Sequence, residues 1–379
     1  MPCLLGALRT LQGVLVSVPV STSVRSRLRS EFHPLTVASV ERLCGDAVAV
    51  TFDVPADLAG AYDFLPGQSL ILRRTVDGRE ERRNYSICSP AGAAPRIGVR
   101  EVADGLFSSW LVHEVRPGDE IEVSTPTGTF TPDTEAPAHH VLLVAGSGIT
   151  PALSIAASVL ANPHATVTLL YGNRRTSTVM FADELADLKD RYATRLELAH
   201  VLSREPRESE LFTGRLDEEK LRTLLPLLGD PARVDHWWLC GPFGMVSDAD
   251  RLLADFDVPR ERIHHELFYV GDAPPEPATH PEPGIEGESS EVTVVLDGRS
   301  TSTVLSRKTK ILDGAQLARP DLPFACKGGV CGTCRAKVVD GKADMRRNFA
   351  LEAAEVDAGF VLTCQSYPVS ERLTVDYDA

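Results

Sequence analysis

The chain lacks the features that would place it in a membrane or on a nucleic acid. None of its 379 residues belongs to an apolar run of about eighteen, the length that a membrane-spanning helix needs. Basic residues are outnumbered, with 39 Lys and Arg against 53 Asp and Glu, so the formal net charge is -14. This balance argues against nucleic acid and anionic membranes as partners. It is compatible with a partner that presents a basic face.

The N-terminal 30 residues carry no clear pattern. They contain a mildly apolar stretch that Pro19 interrupts and that more arginines follow. A weak signal peptide is the alternative. We expect residues 1–30 to be a disordered extension or the product of a misassigned start.

Cysteines are few and unevenly placed. Four of the eight are scattered through the chain without the spacing of a disulfide framework, which predicts a reducing, cytoplasmic setting. The other four lie near the C-terminus: Cys326, Cys331, Cys334 and Cys364.

These four cysteines have the spacing of a plant-type 2Fe-2S site. Three form a C-x4-C-x2-C run, Cys-Lys-Gly-Gly-Val-Cys-Gly-Thr-Cys, and the fourth follows after a long gap. Glycines within the run allow the backbone to wrap a cluster closely and to aim N–H groups at its sulfurs. Zinc ribbons usually carry two C-x2-C pairs, whereas this chain has one. We therefore predict a 2Fe-2S cluster, with zinc or buried free thiols as the alternatives.

The rest of the chain divides into segments of different character. Short alternating strands broken by Gly and Pro turns predict an antiparallel barrel over residues 31–135. Buried apolar runs alternate with helical patterns over 136–271, including helices predicted at 181–191 and 217–228, which indicates a doubly wound α/β domain. A Pro- and Glu-rich stretch predicts a linker over 272–290. The segment 291–379 begins with a hairpin around Asp297-Gly298 and contains the cluster loop.

Two groups of residues in the predicted barrel suit a flavin. Arg83 offers a fork for phosphate, Tyr85 a flat ring for stacking, and Ser86 a hydroxyl for a ring edge. Further on, Gly105 and Ser108 stand where a helix start could cradle an anion.

Two loops in the α/β segment suit a nicotinamide nucleotide. The first, Gly146-Ser-Gly148-Ile-Thr150-Pro151, follows a buried strand and opens a helix, although the third glycine of the dinucleotide fingerprint is absent. The second is Cys240-Gly241-Pro242-Phe243-Gly244-Met245. Cationic residues stand at three strand ends: Arg174, Arg204 beside Ser203, and Arg215. A 2′-phosphate needs such partners, and surface arginines at loop ends are the alternative explanation.

In this order the pieces resemble the ferredoxin–NADP reductase family, with a plant-type ferredoxin domain of the β-grasp fold added at the C-terminus. The resemblance implies that Arg83, Tyr85, Ser86, Gly105 and Ser108 bind FAD in a six-stranded barrel, with FAD favoured over FMN. It also implies that the Gly-x-Gly-x-x-Pro loop and the Cys240-Gly241 loop bind the nicotinamide nucleotide. The three arginines, with Ser203, make NADPH the expected donor.

Such chains serve multicomponent oxygenases. Three further segments narrow the resemblance: Phe32-His-Pro-Leu-Thr-Val, Asp344-Met-Arg-Arg-Asn-Phe-Ala-Leu-Glu and Val361-Leu-Thr-Cys-Gln-Ser-Tyr-Pro. With them, the sequence from Phe32 to Ala379 is similar to the reductases of phenylacetyl-CoA epoxidases, and this resemblance implies that oxygenase core as the electron acceptor. Reductases of 3-ketosteroid, phenol and alkane hydroxylases share the plan. A different class, an electron-carrier subunit of a larger dehydrogenase, would have a degenerate nicotinamide site.

Overall fold

The computed structural model describes residues 31–76, 78–103, 105–268, 288–351 and 353–379. Their strands form three separate sheets. The extension predicted over 1–30 and most of the linker predicted over 272–290 lie outside the described residues. Within the described ranges, every helix is too short or too polar to cross a membrane.

The first sheet is antiparallel and six-stranded, and its order is β4-β3-β6-β1-β2-β5. Its strands are β1 Phe32–Cys44, β2 Ala47–Asp53, β3 Ser69–Val76, β4 Arg79–Ser86, β5 Arg96–Arg100 and β6 Glu120–Ser124, with helix α1 at Ser108–His113. A bridge between Ile87 and Ile97 connects the two edges, and apolar side chains from the strands and α1 fill the interior. The predicted six-stranded antiparallel barrel is confirmed.

The second sheet is parallel, five-stranded and covered on both faces. Its strands are β7 His139–Ala145, β8 Thr166–Asn173, β9 Leu196–Leu202, β10 His236–Cys240 and β11 Ile263–Glu266; its helices are α2 Ile149–Val159, α3 Ala182–Arg191, α4 Glu218–Leu224 and α5 Phe243–Asp255. Helices α2 and α3 pack on one face, α4 and α5 on the other. This confirms the doubly wound α/β fold.

The strand order β11-β10-β7-β8-β9 locates the binding crevice of this sheet. The chain reverses its direction of travel across the sheet between β7 and β10. In open α/β sheets, ligands bind outside the carboxyl ends of the strands at such a switch point. The two loops predicted to bind the nucleotide follow β7 and β10, so they meet there.

The third sheet is mixed and carries the cysteines. Its elements are β12 Ser289–Leu296, β13 Arg299–Ser306, α6 Ile311–Ala315, β14 Arg335–Met345, α7 Ala353–Asp357, β15 Phe360–Leu362 and β16 Ser366–Asp376. The order is β13-β12-β16-β14-β15, with β12 and β16 parallel. Asp297 and Gly298, with φ of 55° and 65°, turn the predicted hairpin. The arrangement is the expected β-grasp.

Candidate functional site

The four C-terminal thiols lie together as two pairs. Cys326, Cys331 and Cys334 stand on the loop between α6 and β14, and Cys364 stands between β15 and β16. Hydrogen bonds join Cys331 to Cys326 and Cys334 to Cys364. A 2Fe-2S cluster needs two thiolates for each iron, and the pairing fits that need. A single zinc ion would instead need its ligands gathered around one point.

Backbone and side-chain N–H groups surround these sulfurs. The amide of Gly328 donates to Cys326 Sγ over 3.3 Å, and Gln365 Nε2 lies 3.6 Å from Cys364 Sγ. The hydrogen bond from Cys331 lowers the pKa of Cys326 to about 6, and the one from Cys334 lowers the pKa of Cys364. Their partners Cys331 and Cys334, which donate these hydrogen bonds and are buried, have raised pKa values, so one thiol of each pair is favoured as the thiolate that binds iron.

The barrel residues predicted to bind flavin lie at the end of β4. Ser86 is buried, and its hydroxyl donates to Glu266 Oε2 over 2.9 Å. The Tyr85 ring packs beside Phe107, and Arg83 is exposed with its guanidinium 3.0 Å from Glu81. A guanidinium in this position is accessible to a phosphate, so the predicted role of Arg83 is compatible with its surroundings.

The second barrel group is organised by its own hydrogen bonds. The Ser108 hydroxyl is buried, accepts from the amide of Val102 over 3.0 Å and donates weakly to the Gly105 carbonyl over 3.5 Å. The hydroxyl is thus used to shape the loop before α1. Phosphate binding by Gly105 and Ser108 stays a prediction, and it would rely on backbone amides there.

Glu266 lies beside the predicted flavin motif, and the sequence alone predicts no role for it. It ends β11, in register with Cys240 at the end of β10, and it touches Ser86 of the barrel. Burial raises its pKa from 4.5 to about 7. The hydrogen bond therefore joins the predicted flavin motif to the end of β11, beside the strand end from which the predicted nicotinamide loop begins.

This raised pKa predicts a pH dependence of stability. Because the folded chain keeps the Glu266 proton above the pH at which the unfolded chain releases it, the stabilisation is complete below pH 4.5 and is lost as pH rises through about 7. The shift corresponds to at most about 3 kcal/mol. Glu266→Gln should not lose stability with rising pH, because glutamine does not ionise. We therefore expect the melting temperature of the variant, relative to that of the parent, to rise with pH between pH 4.5 and about 7.

The comparison with the parent isolates Glu266 from nearby histidines. Burial lowers the pKa of His140 and of His264 to about 4, and these groups change stability with the opposite sign in both proteins. Glu261→Gln, at an exposed position just before β11, is the matched control and should give a flat difference. A flat difference for Glu266→Gln as well would contradict the raised pKa.

The two nucleotide loops touch each other at the switch point. A Cβ on Gly148 would lie 2.1 Å from the Cys240 carbonyl oxygen, so only glycine permits this approach. Thr150 is buried, and its hydroxyl donates to the Ser147 carbonyl over 3.0 Å, which fixes the turn before Pro151 in α2. The close glycine backbone and the start of α2 form a cradle that fits a pyrophosphate.

The predicted arginines stand on adjacent backbone segments. The amide of Arg204 donates to the Arg174 carbonyl over 2.8 Å, and the amide of Gly214, next to Arg215, donates to the Leu202 carbonyl over 2.9 Å. Arg174 pairs with Asp46 of the β1–β2 turn over 3.1 Å. The side chains of Arg204 and Arg215 are exposed and, among the described residues, have neither an ion pair nor a hydrogen bond. Two exposed guanidinium groups at one edge of the sheet, neither of them paired within the described part of the chain, suit a phosphate.

Three family descriptions match the chain in succession. The oxidoreductase FAD-binding domain matches residues 34–131, the oxidoreductase NAD-binding domain matches 142–251, and the 2Fe-2S iron-sulfur cluster binding domain matches 294–369. The chain is therefore an oxidoreductase with FAD, nicotinamide nucleotide and 2Fe-2S as its cofactors. The prediction of these cofactors is confirmed.

Curated relatives cover nearly the whole chain. One component of the 1,2-phenylacetyl-CoA epoxidase of Escherichia coli K12 is 42% identical, over 92% of this chain and 98% of its own. The ferredoxin reductase component of the 3-ketosteroid-9-alpha-monooxygenase of Rhodococcus rhodochrous is 32% identical, over 90% and 96%.

Solved structures share the same plan. Phthalate dioxygenase reductase matches with a TM-score of 0.58 and 25% identity, over 91% of this chain and 98% of its own. An intact type IV self-sufficient cytochrome P450 monooxygenase matches with a TM-score of 0.65 and 22% identity. The present chain spans only 41% of that larger protein, and this second likeness shows the fold alone.

Proposed function

Because the chain belongs to the ferredoxin–NADP reductase family and ends in a 2Fe-2S domain, we propose that it is the NADPH-dependent reductase of a phenylacetyl-CoA epoxidase. The observation that carries the proposed hydride transfer is the hydrogen bond from Ser86 to Glu266, 2.9 Å long. It brings the flavin motif of the barrel against the strand end beside Cys240. A hydride donor held by one half of this site would face an acceptor held by the other half.

The residues of the chain divide the work of binding and orientation. When bound, FAD takes two electrons from the nicotinamide and passes them on singly, which lets a hydride donor supply a one-electron cluster. Arg83 would hold the flavin phosphate, and Tyr85 would contact the flavin ring. Gly146 and Gly148 admit the nucleotide pyrophosphate, while the Cys240 strand end positions the nicotinamide.

NADPH is proposed over NADH on the strength of the uncommitted arginines. Only NADPH carries the 2′-phosphate, and a charge-assisted hydrogen bond to it contributes about 1.5–3 kcal/mol. We expect Arg204→Ala to raise the KM for NADPH about 10- to 100-fold and to leave the KM for NADH almost unchanged. Steady-state reduction of ferricyanide with each donor gives both constants.

A matched control separates this effect from general loss of charge. Arg233 is an arginine of the same sheet domain with a side chain 87% exposed, paired only with its neighbour Asp230 among the described residues. Arg233→Ala should leave both KM values unchanged. Equal weakening of NADPH and NADH by Arg204→Ala would contradict the proposed 2′-phosphate site.

The acceptor is proposed from the relative in Escherichia coli and tested by reconstitution. We expect the purified chain, mixed with a phenylacetyl-CoA epoxidase oxygenase core, to oxidise NADPH faster when phenylacetyl-CoA is present and to yield oxygenated product. Fast ferricyanide reduction without transfer to that core would keep the reductase and reject this acceptor. The steroid, phenol and alkane oxygenases would then be tested in turn, beginning with the 3-ketosteroid enzyme because of the relative in Rhodococcus.

The alternative of an electron-carrier subunit in a larger dehydrogenase is disfavoured by the nucleotide loops. That function needs no functional nicotinamide site, yet Gly148 approaches Cys240 as a nucleotide cradle requires. Failure of NADPH and of NADH to reduce the flavin of the purified chain would revive this alternative.

A further inference from the structure

The loop that carries the thiols contacts both of the other domains. Val330, inside the loop, and Phe349, beyond β14, are partly buried against the apolar core beside α5. On the other side, the Arg82 guanidinium of the barrel lies 4.6 Å from the centre of the Phe324 ring, two residues before Cys326. The loop is therefore held between two surfaces.

The contact with α5 is an edge-on aromatic pair. The rings of Phe243 and Phe349 have centroids 5.4 Å apart and planes inclined by 74°, a favourable T-shaped geometry. Phe243 is the first residue of α5 and follows the Cys240-Gly241-Pro242 segment directly. The segment predicted to bind nicotinamide therefore leads directly to the contact between Phe243 and Phe349.

Val330 and Phe349 also make backbone hydrogen bonds in the loop that carries the thiols. The amide of Val330 donates to the Cys326 thiol. The amide of Phe349 donates to the Gly329 carbonyl over 3.1 Å, and the amide of Gly329 donates to the Cys364 thiol. A movement of Phe349 against α5 would consequently displace the backbone around two of the four sulfurs.

We propose that Phe243 and Phe349, with Val330, form an interdomain clasp that positions the cluster for electron transfer from the flavin. They are positioning residues, because none of them is a cluster ligand. The inference rests on the proposed function, since it assumes that electrons move from flavin to cluster. It goes beyond the proposed function by naming the contact that sets the rate of electron transfer from flavin to cluster.

The step itself is a simple one-electron exchange. Each hydride delivers two electrons to the flavin, and the oxidised cluster takes one at a time, so the flavin is oxidised by one electron as the cluster is reduced by one. The second electron follows after an external acceptor has reoxidised the cluster, and the proton that the hydride carried is released to solvent as the flavin returns to its oxidised form. The rate of such a transfer falls steeply with distance, so a clasp that fixes the distance fixes the rate.

The test measures this step without NADPH and without an oxygenase. Flash photoreduction of the flavin in the holoprotein starts the transfer, and the visible spectrum records the reduction of the cluster. Because the transfer slows steeply as flavin and cluster move apart, we expect Phe349→Ala to slow cluster reduction several-fold. Phe349→Leu, which keeps apolar packing, should restore most of the rate.

Two readouts distinguish positioning from damage. Iron content must match the parent, and small-angle X-ray scattering should show a larger radius of gyration for Phe349→Ala. If the two rings act as one unit, the double variant Phe243→Ala/Phe349→Ala should be no slower than Phe349→Ala alone. Leu317→Ala, at an apolar position of the same domain that is 89% exposed, is the control and should change neither quantity.

Each outcome bears on one of the two proposals. Parent-like cluster reduction in Phe349→Ala, with iron retained, would overturn the clasp and leave the proposed function intact. In the parent protein, cluster reduction after the flash could be fast while neither NADPH nor NADH reduces the flavin. This result would overturn the proposed donor, and the Phe349→Ala comparison would still test the clasp. Slow transfer with an unchanged radius of gyration would overturn the idea that the pair holds the domains together.

Discussion

Cys331→Ser is expected to remove the iron from the purified protein and to leave the flavin in place. Cys331 lies at the centre of the C-x4-C-x2-C run and is paired with Cys326 by a hydrogen bond. A serine hydroxyl is a poor ligand for iron, so one of the two iron positions would lose half of its protein ligands. NADPH should still reduce the flavin and ferricyanide, whereas reduction of cytochrome c through the cluster should fall close to zero.

Iron analysis and the visible spectrum of the oxidised protein measure the effect. Cys88→Ser provides a matched control, because Cys88 is a buried thiol of the barrel that donates to the Arg96 carbonyl over 3.2 Å. A serine hydroxyl can make the same hydrogen bond, so this variant should keep its iron. Unchanged iron in Cys331→Ser would show that Cys331 does not bind the cluster.

Gly148→Ala should strongly weaken nucleotide binding at the switch point. The added methyl group would meet the Cys240 carbonyl oxygen at 2.1 Å and the carbonyl carbon at 2.6 Å, and neither backbone atom can move aside as a flexible side chain does. The two loops must therefore separate, at an overpacking cost of about 1–3 kcal/mol or more. We expect the KM for both NADPH and NADH to rise about 100-fold, with the flavin retained.

The control for this prediction lies in the barrel, outside both loops. Gly60 stands in the 3-10 turn Ala59–Ala61, and a Cβ there would meet nothing within 4 Å. Gly60→Ala should bind nucleotide normally and stabilise the turn slightly, because alanine loses less backbone entropy than glycine on folding. Normal nucleotide binding by Gly148→Ala would mean that the loops separate easily and that the cradle lies elsewhere.

The sequence predicts well those features that are local in the chain. The mostly buried parallel strands β7, β8 and β10 appear as apolar runs, and the hairpin follows from Asp297-Gly298 alone. The thiol loop is similarly encoded by spacing. The helix predicted over 217–228 ends earlier, at Leu224, and tightens into a 3-10 turn in which Pro226 cannot donate a backbone hydrogen bond.

Features that depend on distant segments could not be predicted. Strand β11 is four residues long, and its polar sequence Ile-His-His-Glu shows no apolar run. It becomes a strand because it pairs with β10, and it brings Glu266 to Ser86 across 180 positions of sequence. The approach of Gly148 to Cys240 likewise follows from strand order, which no local pattern records.

The position of β16 has a consequence for how the chain is made. This strand is the middle one of the third sheet, and it pairs with β12 on one side and β14 on the other. Beyond it, the Tyr377 hydroxyl lies 2.8 Å from Thr363 Oγ1, next to Cys364. Ribosomes make this middle strand after the other four strands of the sheet, whereas the barrel and the parallel sheet are complete earlier and can fold first. Assembly of the third sheet must therefore wait until β16 has been synthesised.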